Sequence, residues 1–448
     1  MTRTLSDEST EDIFRRVEEA NVRFSRLYPG EPSGRQAVHT VYGGAQLFKK
    51  DLAGKLGKGA LKSLEAYAPD AASFAKALDL TLREDQAETL YARIIEKLKR
   101  EPVEDFRIDY EDGYGNRPDE EEDGHAVEGA KQLAAGMKEG TLPPFIGIRI
   151  KPFTEELRQR SLRTFDLFLS TLVAETGGVL PENFVVTLPK VTIPEQVTAM
   201  SDLCDLFEKK LELPAGVLKY EIMIETTQAI FGPAGKTALP SLLEATRGRC
   251  VSAHFGTYDY TASCNITAAY QTMDHPNCDF ARHMMNIAFA QTGITLSDGA
   301  TNIMPVPIHR GDALSTEQLD ANKKTVHSAW KLHYDHVRHS LLHAFYQGWD
   351  LHPAQLPTRY AAVYSFFLES AEAAGERLKN FVGKAAQATL VGEVFDDAAT
   401  GQGLLNFFLR GVTCGAIPEE DALATGLTLE ELRGRSFVQI LKNRRGNG

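Results

Sequence analysis

Cysteine is scarce in this sequence, with five residues among 448. None belongs to a CxxC pair, and they are scattered over Cys204, Cys250, Cys264, Cys278 and Cys414. An odd, scattered set is typical of reduced thiols, since a disulfide framework or a cysteine zinc site needs paired spacings. We interpret these cysteines as buried structural thiols.

Long apolar runs and surplus positive charge are also missing. No stretch reaches the length of a membrane span, and the polar, acidic N-terminus resembles neither a secretory signal nor a transit peptide. We therefore expect a cytoplasmic protein without a membrane partner. The formal net charge of −12 repels polyphosphate backbones and the basic clusters are short, so we expect no nucleic-acid partner.

Two familiar enzyme motifs are lacking as well. The sequence has no GxGxxG dinucleotide motif in a strand-to-helix context and no GxSxG nucleophile elbow, so we do not expect dinucleotide redox or serine-hydrolase chemistry. The segment 232–237 is similar to a phosphate-binding loop, but Ile230 occupies the position of the required first glycine. The loop is therefore a weak nucleotide site.

What the chain does have is a regular alternation of short apolar segments and helical stretches. Strands are predicted at 37–48, 104–111, 144–150, 183–190, 218–225 and 250–256, with weaker candidates at 300–305 and 348–353. The pattern favours a parallel sheet covered by helices, in the α/β class. We predict a (β/α)8 TIM barrel as a catalytic domain over residues 37–356, preceded by an N-terminal helical extension over 1–36 and followed by a C-terminal helical extension over 357–448.

Five of the predicted strands end in polar, mostly charged residues. The carboxyl ends of barrel strands build the active site, so the chain is expected to be an enzyme. Glu225 and Asp259 end neighbouring strands and offer hard oxygen ligands to an ion such as Mg²⁺. Buried carboxylates are costly unless they are paired or bound to metal. The alternative is that they cap helices or pair with Arg149 and Lys190.

Arg149 is the only cation that ends the third strand. Its guanidinium could grip a substrate carboxylate or stabilise an oxyanion, or it could form an ordinary ion pair with Glu111 or Asp112. Lys190 could act as a Schiff-base nucleophile, but the carboxylate pair offers an electron sink without it.

Four histidines are of interest. His39 and His352 are both predicted near the barrel mouth, as proton carriers or as hydrogen-bonded core residues. His339 and His343 have the i, i+4 spacing that can bind zinc. Because no third ligand completes a known pattern, we expect their helix to line an interface or the core.

Six segments in this part of the chain carry motifs that resemble those of the citrate lyase beta-subunit family. They are Asp109-Tyr-Glu111-Asp112, Ile148-Arg149-Ile, Leu188-Pro-Lys190-Val, Ile224-Glu225-Thr, Phe255-Gly-Thr-Tyr-Asp259-Tyr and Trp349-Asp-Leu-His352-Pro-Ala-Gln. Each is weak alone, but together they occur in the family's order. The wider superfamily of phosphoenolpyruvate/pyruvate-type barrels includes the HpcH/HpaI-type aldolases and malate synthase.

The resemblance implies a divalent-metal-dependent carbon–carbon lyase or aldolase that acts on a small 2-oxo acid or an acyl-thioester through an enolate. It places Mg²⁺ or Mn²⁺ at Glu225 and Asp259, with Arg149 as a catalytic and substrate-binding residue. Catalytic roles are also implied for Glu111 and Asp112, and substrate-binding roles for Lys190 and His352. A homo-oligomer, a trimer or hexamer, is expected on the same ground.

The sequence also departs from this family. The class II aldolases have a Glu-His pair where this chain has Glu111-Asp112, so their histidine base is missing. Additional residues at 58–100, at 298–347 and at the C-terminus indicate a longer branch. A phosphotransferase that uses phosphoenolpyruvate and a non-catalytic metabolite-binding protein stay open as alternatives.

Overall fold

Eight parallel strands form a closed barrel in which each strand pairs with the next and the eighth pairs with the first. The structure, a computed structural model, describes the chain except residues 1–3, 6, 33, 234, 312, 384–388, 392–393, 397, 435–436, 438–439, 441–442 and 444–448. The strands are β1 (His39–Gly44), β2 (Asp105–Asp109), β3 (Phe145–Arg149), β4 (Phe184–Leu188), β5 (Lys219–Ile224), β6 (Cys250–Phe255), β7 (Thr295–Ala300) and β8 (Gln347–Asp350).

Helices precede, connect and follow the barrel strands. They are α1 (Asp7–Leu27), α2 (Leu52–Tyr67), α3 (Ala71–Leu78), α4 (Glu84–Arg100), α5 (Asp119–Glu139), α6 (Arg158–Thr176), α7 (Pro194–Lys210), α8 (Thr227–Ile230), α9 (Leu239–Ala245), α10 (Thr257–Ser263), α11 (Pro276–Phe289), α12 (Thr316–Leu342), α13 (Leu356–Gly383), α14 (Ala398–Thr413), α15 (Glu419–Leu423) and α16 (Leu429–Gly434). An antiparallel pair, β9 (Thr389–Val391) and β10 (Val394–Asp396), lies between α13 and α14. None of the described helices is both long and apolar enough to cross a membrane.

The predicted (β/α)8 barrel with helical termini is confirmed, and β1 to β6 fall inside the predicted segments. The prediction for the seventh strand is wrong, because β7 ends at Ala300, where the predicted segment begins. The apolar run after Ala300 misled the assignment, while the polar residues Ser297 and Asp298 belong to the strand. The additional residues 58–100 belong to three helices, and the sequence did not predict the pair β9–β10. The boundaries predicted for the catalytic domain and for the two helical extensions stay a prediction.

The barrel interior is polar. Alternate residues of each strand point inward and form this interior. In β2, Phe106 and Ile108 face the surrounding helices, whereas Arg107 faces the interior. Its guanidinium forms two 2.8 Å hydrogen bonds with Glu221 of β5. Burial raises the pKa of Glu221, but Arg107 and His254 outweigh it and hold that pKa well below its usual range. The charges are buried as matched pairs, the form in which a barrel core tolerates them.

A second buried cluster joins the barrel to the outer helices. Asp350 at the end of β8 accepts from Arg359 of α13 at 2.7 Å and contacts both His333 of α12 and His39 of β1 at 2.9 Å. The other ring nitrogen of His39 accepts from the backbone N–H of Glu104 at 3.0 Å. His39 is thus a hydrogen-bonded core residue that ties β1 to β8.

Candidate active site

The charged residues singled out in the sequence lie at one end of the barrel. Arg149 is the last residue of β3, Lys190 follows β4 by two residues, and Glu225 comes directly after β5. Asp259 lies in the first turn of α10, directly beyond β6. Since all eight strands are parallel, their carboxyl ends share one mouth. The loop after β2 brings two further carboxylates to it, those of Glu111 and Asp112.

Arg149 is held in one orientation by a bidentate ion pair. Its Nε and Nη2 donate to the two carboxylate oxygens of Asp109 at 2.7 and 2.6 Å, while Nη1 lies 3.0 Å from Glu111 Oε2. The guanidinium lies 4.8 Å from the ring centre of Tyr42 and 5.3 Å from that of Trp349. Burial alone would lower the pKa of Arg149, but Asp109 and Glu111 raise it well above its usual value. The side chain therefore presents a fixed positive charge to the mouth.

Lys190 lies among the carboxylates. Its Nζ contacts Glu111, Asp112 Oδ2 at 3.0 Å and Asp259 Oδ2 at 3.4 Å. Burial lowers the pKa of Lys190, but Glu225, Glu111 and Asp112 outweigh it and raise that pKa above its usual value. A lysine kept protonated in this way is a poor Schiff-base nucleophile. It is suited to bind an anion or to position its carboxylate neighbours.

The backbone of Lys190 is also part of the arrangement. Its φ of 49° lies in the left-handed region, which costs a non-glycine residue on the order of 1–3 kcal/mol and is often found at functional sites. In this conformation its N–H donates to Glu225 Oε1 at 2.6 Å. The strained residue thus orients the buried Glu225 carboxylate.

Glu225 is 1% exposed, and burial raises its pKa to about 8, with Asp259 and Glu111 adding to the shift and Lys190 opposing it. The carboxylate packs so closely on Gly256 that a Cβ at that position would overlap Glu225 Oε2. A buried carboxylate with a raised pKa is one that a bound cation stabilises in its charged form.

The residues at the mouth fit a divalent cation. The mouth contains two cations, Arg149 and Lys190, and five carboxylates, so its formal net charge is −3. The carboxylates are those of Asp109, Glu111, Asp112, Glu225 and Asp259. The donor atoms are all carboxylate oxygens, and Mg²⁺ is commonly held by one or two carboxylates together with water and substrate. Glu225 is buried and Asp259 half-exposed, so a cation between them would stay open to a small molecule.

The opposite end of the barrel holds a cavity of about 270 Å³. Asp105, Arg107, Glu221 and Gln347 are among its lining residues. Arg107 is already bonded to both Asp105 and Glu221. Barrel enzymes carry out their chemistry at the carboxyl end, whereas the amino end contributes stability, so the mouth that contains Glu225 is the candidate active site.

The structure brings six of the seven predicted site residues together: Glu111, Asp112, Arg149, Lys190, Glu225 and Asp259. The seventh, His352, caps a short 3₁₀ turn, where its Nδ1 accepts from the N–H of Ala354 at 3.1 Å. Burial lowers the pKa of His352, which favours a neutral ring at neutral pH. This hydrogen bond of the His352 ring is local, so the role of His352 toward a substrate stays a prediction.

Three residues at this mouth were not among the predicted site residues. Asp109 orients Arg149, while Tyr42 and Trp349 lie against the guanidinium. Trp349 Nε1 is buried without a hydrogen-bond partner among the described residues, an arrangement that leaves one donor for a ligand. The signal that could have found them is the strand period of two, which points Tyr42, Asp109 and Trp349 inward.

Comparisons with known proteins agree with this barrel. The model of the family described as "Domain of unknown function (DUF6986)" matches residues 17–440, and the chain belongs to that family. No curated protein matches the sequence. A solved citrate lyase from Burkholderia xenovorans LB400 is 17% identical with a TM-score of 0.53, over 77% of this chain and 94% of that one. At the level of fold, this confirms the resemblance that the motifs indicated.

Two further solved structures are similar with lower scores. CitE from Mycobacterium tuberculosis, solved with magnesium, acetoacetate and coenzyme A, is 12% identical with a TM-score of 0.49, over 86% of this chain and 99% of that one. Malate synthase from Haloferax volcanii, solved with magnesium and glyoxylate, is 13% identical with a TM-score of 0.45, over 90% and 97% of the two chains.

Proposed function

We propose that this member of the DUF6986 family is a divalent-metal-dependent carbon–carbon lyase or aldolase that acts on a small 2-oxo acid or an acyl-thioester through an enolate. The observation that supports it most is the convergence of Glu225 and Asp259 with Arg149 at the carboxyl end of a citrate lyase-like barrel. Glu225 and Asp259 supply hard oxygen ligands, and Arg149 supplies a fixed positive charge. These are the two features that enolate chemistry requires.

In this proposal Glu225 and Asp259 would hold Mg²⁺ or Mn²⁺, and the ion would supply Lewis-acid stabilisation of negative charge on a substrate oxygen. Arg149 binds the same end of the substrate through Nη1, because Nε and Nη2 are occupied by Asp109. The substrate replaces Glu111 as the partner of Nη1. The rigid ion pair with Asp109 means that the donor needs no reorientation as charge develops.

Glu111 and Asp112 are suited to different proton roles. Burial raises the pKa of Glu111, with Asp112 adding to the shift, although Arg149 and Lys190 oppose it. Burial also raises the pKa of Asp112, which is more exposed, but Arg149 and Lys190 outweigh this effect and lower that pKa. Paired carboxyls whose pKa values are pushed apart are typical of an acid and its partner base. We assign proton transfer to Glu111 and the binding of a catalytic water to Asp112.

Lys190 and His352 complete the proposed substrate site, together with the unpaired Nε1 of Trp349. Lys190 lies where a second carboxylate or a thioester oxygen could bind, since its Nζ already contacts three carboxylates. The family resemblance further supports a trimer or hexamer, which mass photometry tests directly. A cytoplasmic location stays a prediction.

Enolate formation can be measured without knowledge of the full reaction. Proton NMR in heavy water follows the methyl protons of pyruvate and the loss of oxaloacetate in the presence of Mg²⁺ or Mn²⁺. We expect the wild type to accelerate one of these and Glu225→Gln to abolish the acceleration, while Lys219→Gln, at the opposite end of β5, keeps it.

If wild type and Glu225→Gln behave alike toward both compounds, the 2-oxo-acid reaction is excluded and acyl-thioesters are tested next. Binding of Mn²⁺ and pyruvate without any turnover would support a metabolite-binding protein instead. The phosphotransferase alternative gains no support from the segment 232–237, because the N–H of Gly232 donates to the carbonyl of Lys236 at 3.0 Å and is not free for phosphate.

A further inference from the structure

A second group of potential metal ligands lies on the outside of the barrel, between the helices that flank β7. Helix α11 presents Asp279 and His283 with an i, i+4 spacing, and His339 in the last turn of α12 has the same spacing to His343, which directly follows that helix. Residues spaced in this way share one helix face. The structure turns the two faces toward each other, so four ligand-type side chains from two helices meet.

The ligand atoms are close enough for one ion. One ligand atom each from Asp279, His339 and His343 lies within 4.8 Å of the other two, and this is the only group of three or more such residues found in the described part of the chain. His339 Nε2 lies 2.7 Å from Asp279 Oδ1. Ligands of tetrahedral zinc, bound at 2.0–2.2 Å, lie about 3.3 Å apart. The separations in this group, 2.7 Å for one pair and at most 4.8 Å for the others, therefore change by no more than about 1.5 Å to reach that spacing.

The three histidine rings lie close together. The ring centres of His339 and His343 are 4.4 Å apart, and that of His283 is 5.3 Å from His343. His343 Nδ1 donates to the backbone carbonyl of His339 at 2.8 Å. This hydrogen bond fixes the tautomer and leaves Nε2 as the ligand atom, as in many zinc sites. All three residues of the tight group are partly buried, so the site is shielded and still reachable.

The positive charge nearest the site is compensated. Arg282 Nη2 donates to Asp279 Oδ1 at 2.9 Å, and its Nη1 lies 3.1 Å from the fully buried Asp298. Because Asp298 balances the guanidinium, Asp279 keeps its own negative charge for a ligand. Among the described residues, both side-chain contacts of Asp279 use Oδ1, so its second oxygen is available to a ligand.

We propose that Asp279, His339 and His343, with His283 as a fourth ligand, form a zinc-type site that links α11 to α12. Imidazole nitrogens favour zinc over Mg²⁺, and four protein ligands are typical of a structural site. The site is separate from the carboxylate site at the barrel mouth and acts as a clamp on the outer helices. The spacing of His339 and His343 alone did not predict it, because the third ligand lies 60 residues earlier in the chain.

The test is a zinc titration of the metal-free, full-length protein in competition with a chromophoric chelator, with excess Mg²⁺ present to occupy the barrel mouth. We expect one Zn²⁺ per chain in the wild type. His343→Gln and Asp279→Asn each remove a direct ligand, so their affinity should fall by more than the roughly 10–100-fold that loss of an outer-shell partner costs. Glu225→Gln, altered only at the mouth, should bind zinc like the wild type.

A second readout does not depend on affinity. Co²⁺ in the wild-type protein should give the intense visible absorption of a tetrahedral ion, and His343→Gln should not. Circular dichroism of each metal-free variant shows whether it is folded, and His339→Gln replaces any variant that is not. An unchanged zinc stoichiometry and affinity in His343→Gln and Asp279→Asn would overturn the proposal, as would loss of zinc in Glu225→Gln alone.

Discussion

Replacement of Gly256 by alanine tests the metal site through its geometry and leaves every charge in place. Gly256 follows β6, and a Cβ built there overlaps Glu225 Oε2 and lies 2.5 Å from the Cβ of Glu225. The second contact cannot be relieved by rotation of the carboxylate alone. The Glu225 side chain must therefore move away from its hydrogen bond with the backbone of Lys190.

Two effects of different size follow from Gly256→Ala. Overpacking of a buried position costs about 1–3 kcal/mol of unfolding free energy. In addition, Mg²⁺ demands near-ideal octahedral geometry, so we expect its affinity to fall at least tenfold, or about 1.4 kcal/mol. At an Mg²⁺ concentration of 100 times the wild-type Kd, the wild type gains about 2.7 kcal/mol of stability, whereas a variant that binds tenfold more weakly gains about 1.4.

The matched control is Gly43→Ala. A Cβ there lies 2.6 Å from Phe106 Cζ, a comparable clash on the outer face of β1, which points away from the barrel interior. Thermal unfolding with and without Mg²⁺, together with Mn²⁺ titration by calorimetry, compares the two variants. Both should be destabilised without metal, but only Gly256→Ala should lose metal-dependent stabilisation. Equal Mn²⁺ affinity in Gly256→Ala and the wild type would refute the assignment of Glu225 as a ligand.

Three other substitutions have defined outcomes. Asp109→Asn removes one partner of a buried ion pair with Arg149 and should lower the free energy of unfolding in urea by about 3–5 kcal/mol; a change below about 1 kcal/mol would contradict the pairing. Lys190→Met removes an ammonium group 3.4 Å from Asp259, so calorimetry should show Mg²⁺ bound roughly tenfold more tightly or better, and weaker binding would be inconsistent with the proposed site. Burial lowers the pKa of His336 to about 4, below the unfolded value of about 6.5, so its contribution to stability is present above pH 6.5 and is lost as the pH falls toward 4. It amounts to about 3 kcal/mol, and His336→Gln should lack this pH-dependent part of the unfolding free energy.

The positions of most barrel strands could be predicted because each is a short apolar run with its own turn signals. The strand β7 shows where that signal fails. Asp298 in this strand is buried because it pairs with Arg282 of α11, a contact between elements that the local pattern does not show. The polar strand was therefore passed over in favour of the apolar residues that follow it.

The sequence by itself determined which charges stand at the strand ends, since the order of strands and the period of two place Arg149, Glu225 and, just beyond β6, Asp259 at one mouth of any barrel that closes. Only the tertiary structure decided how these charges are paired. In the folded chain Lys190 contacts three carboxylates, Arg149 forms an ion pair with Asp109, and Asp279 lies beside two histidines that are distant in sequence. The physical reason is that strand and helix periodicity are local properties of the chain. Which side chains meet across the barrel depends on its closure and on the packing of helices far apart in sequence.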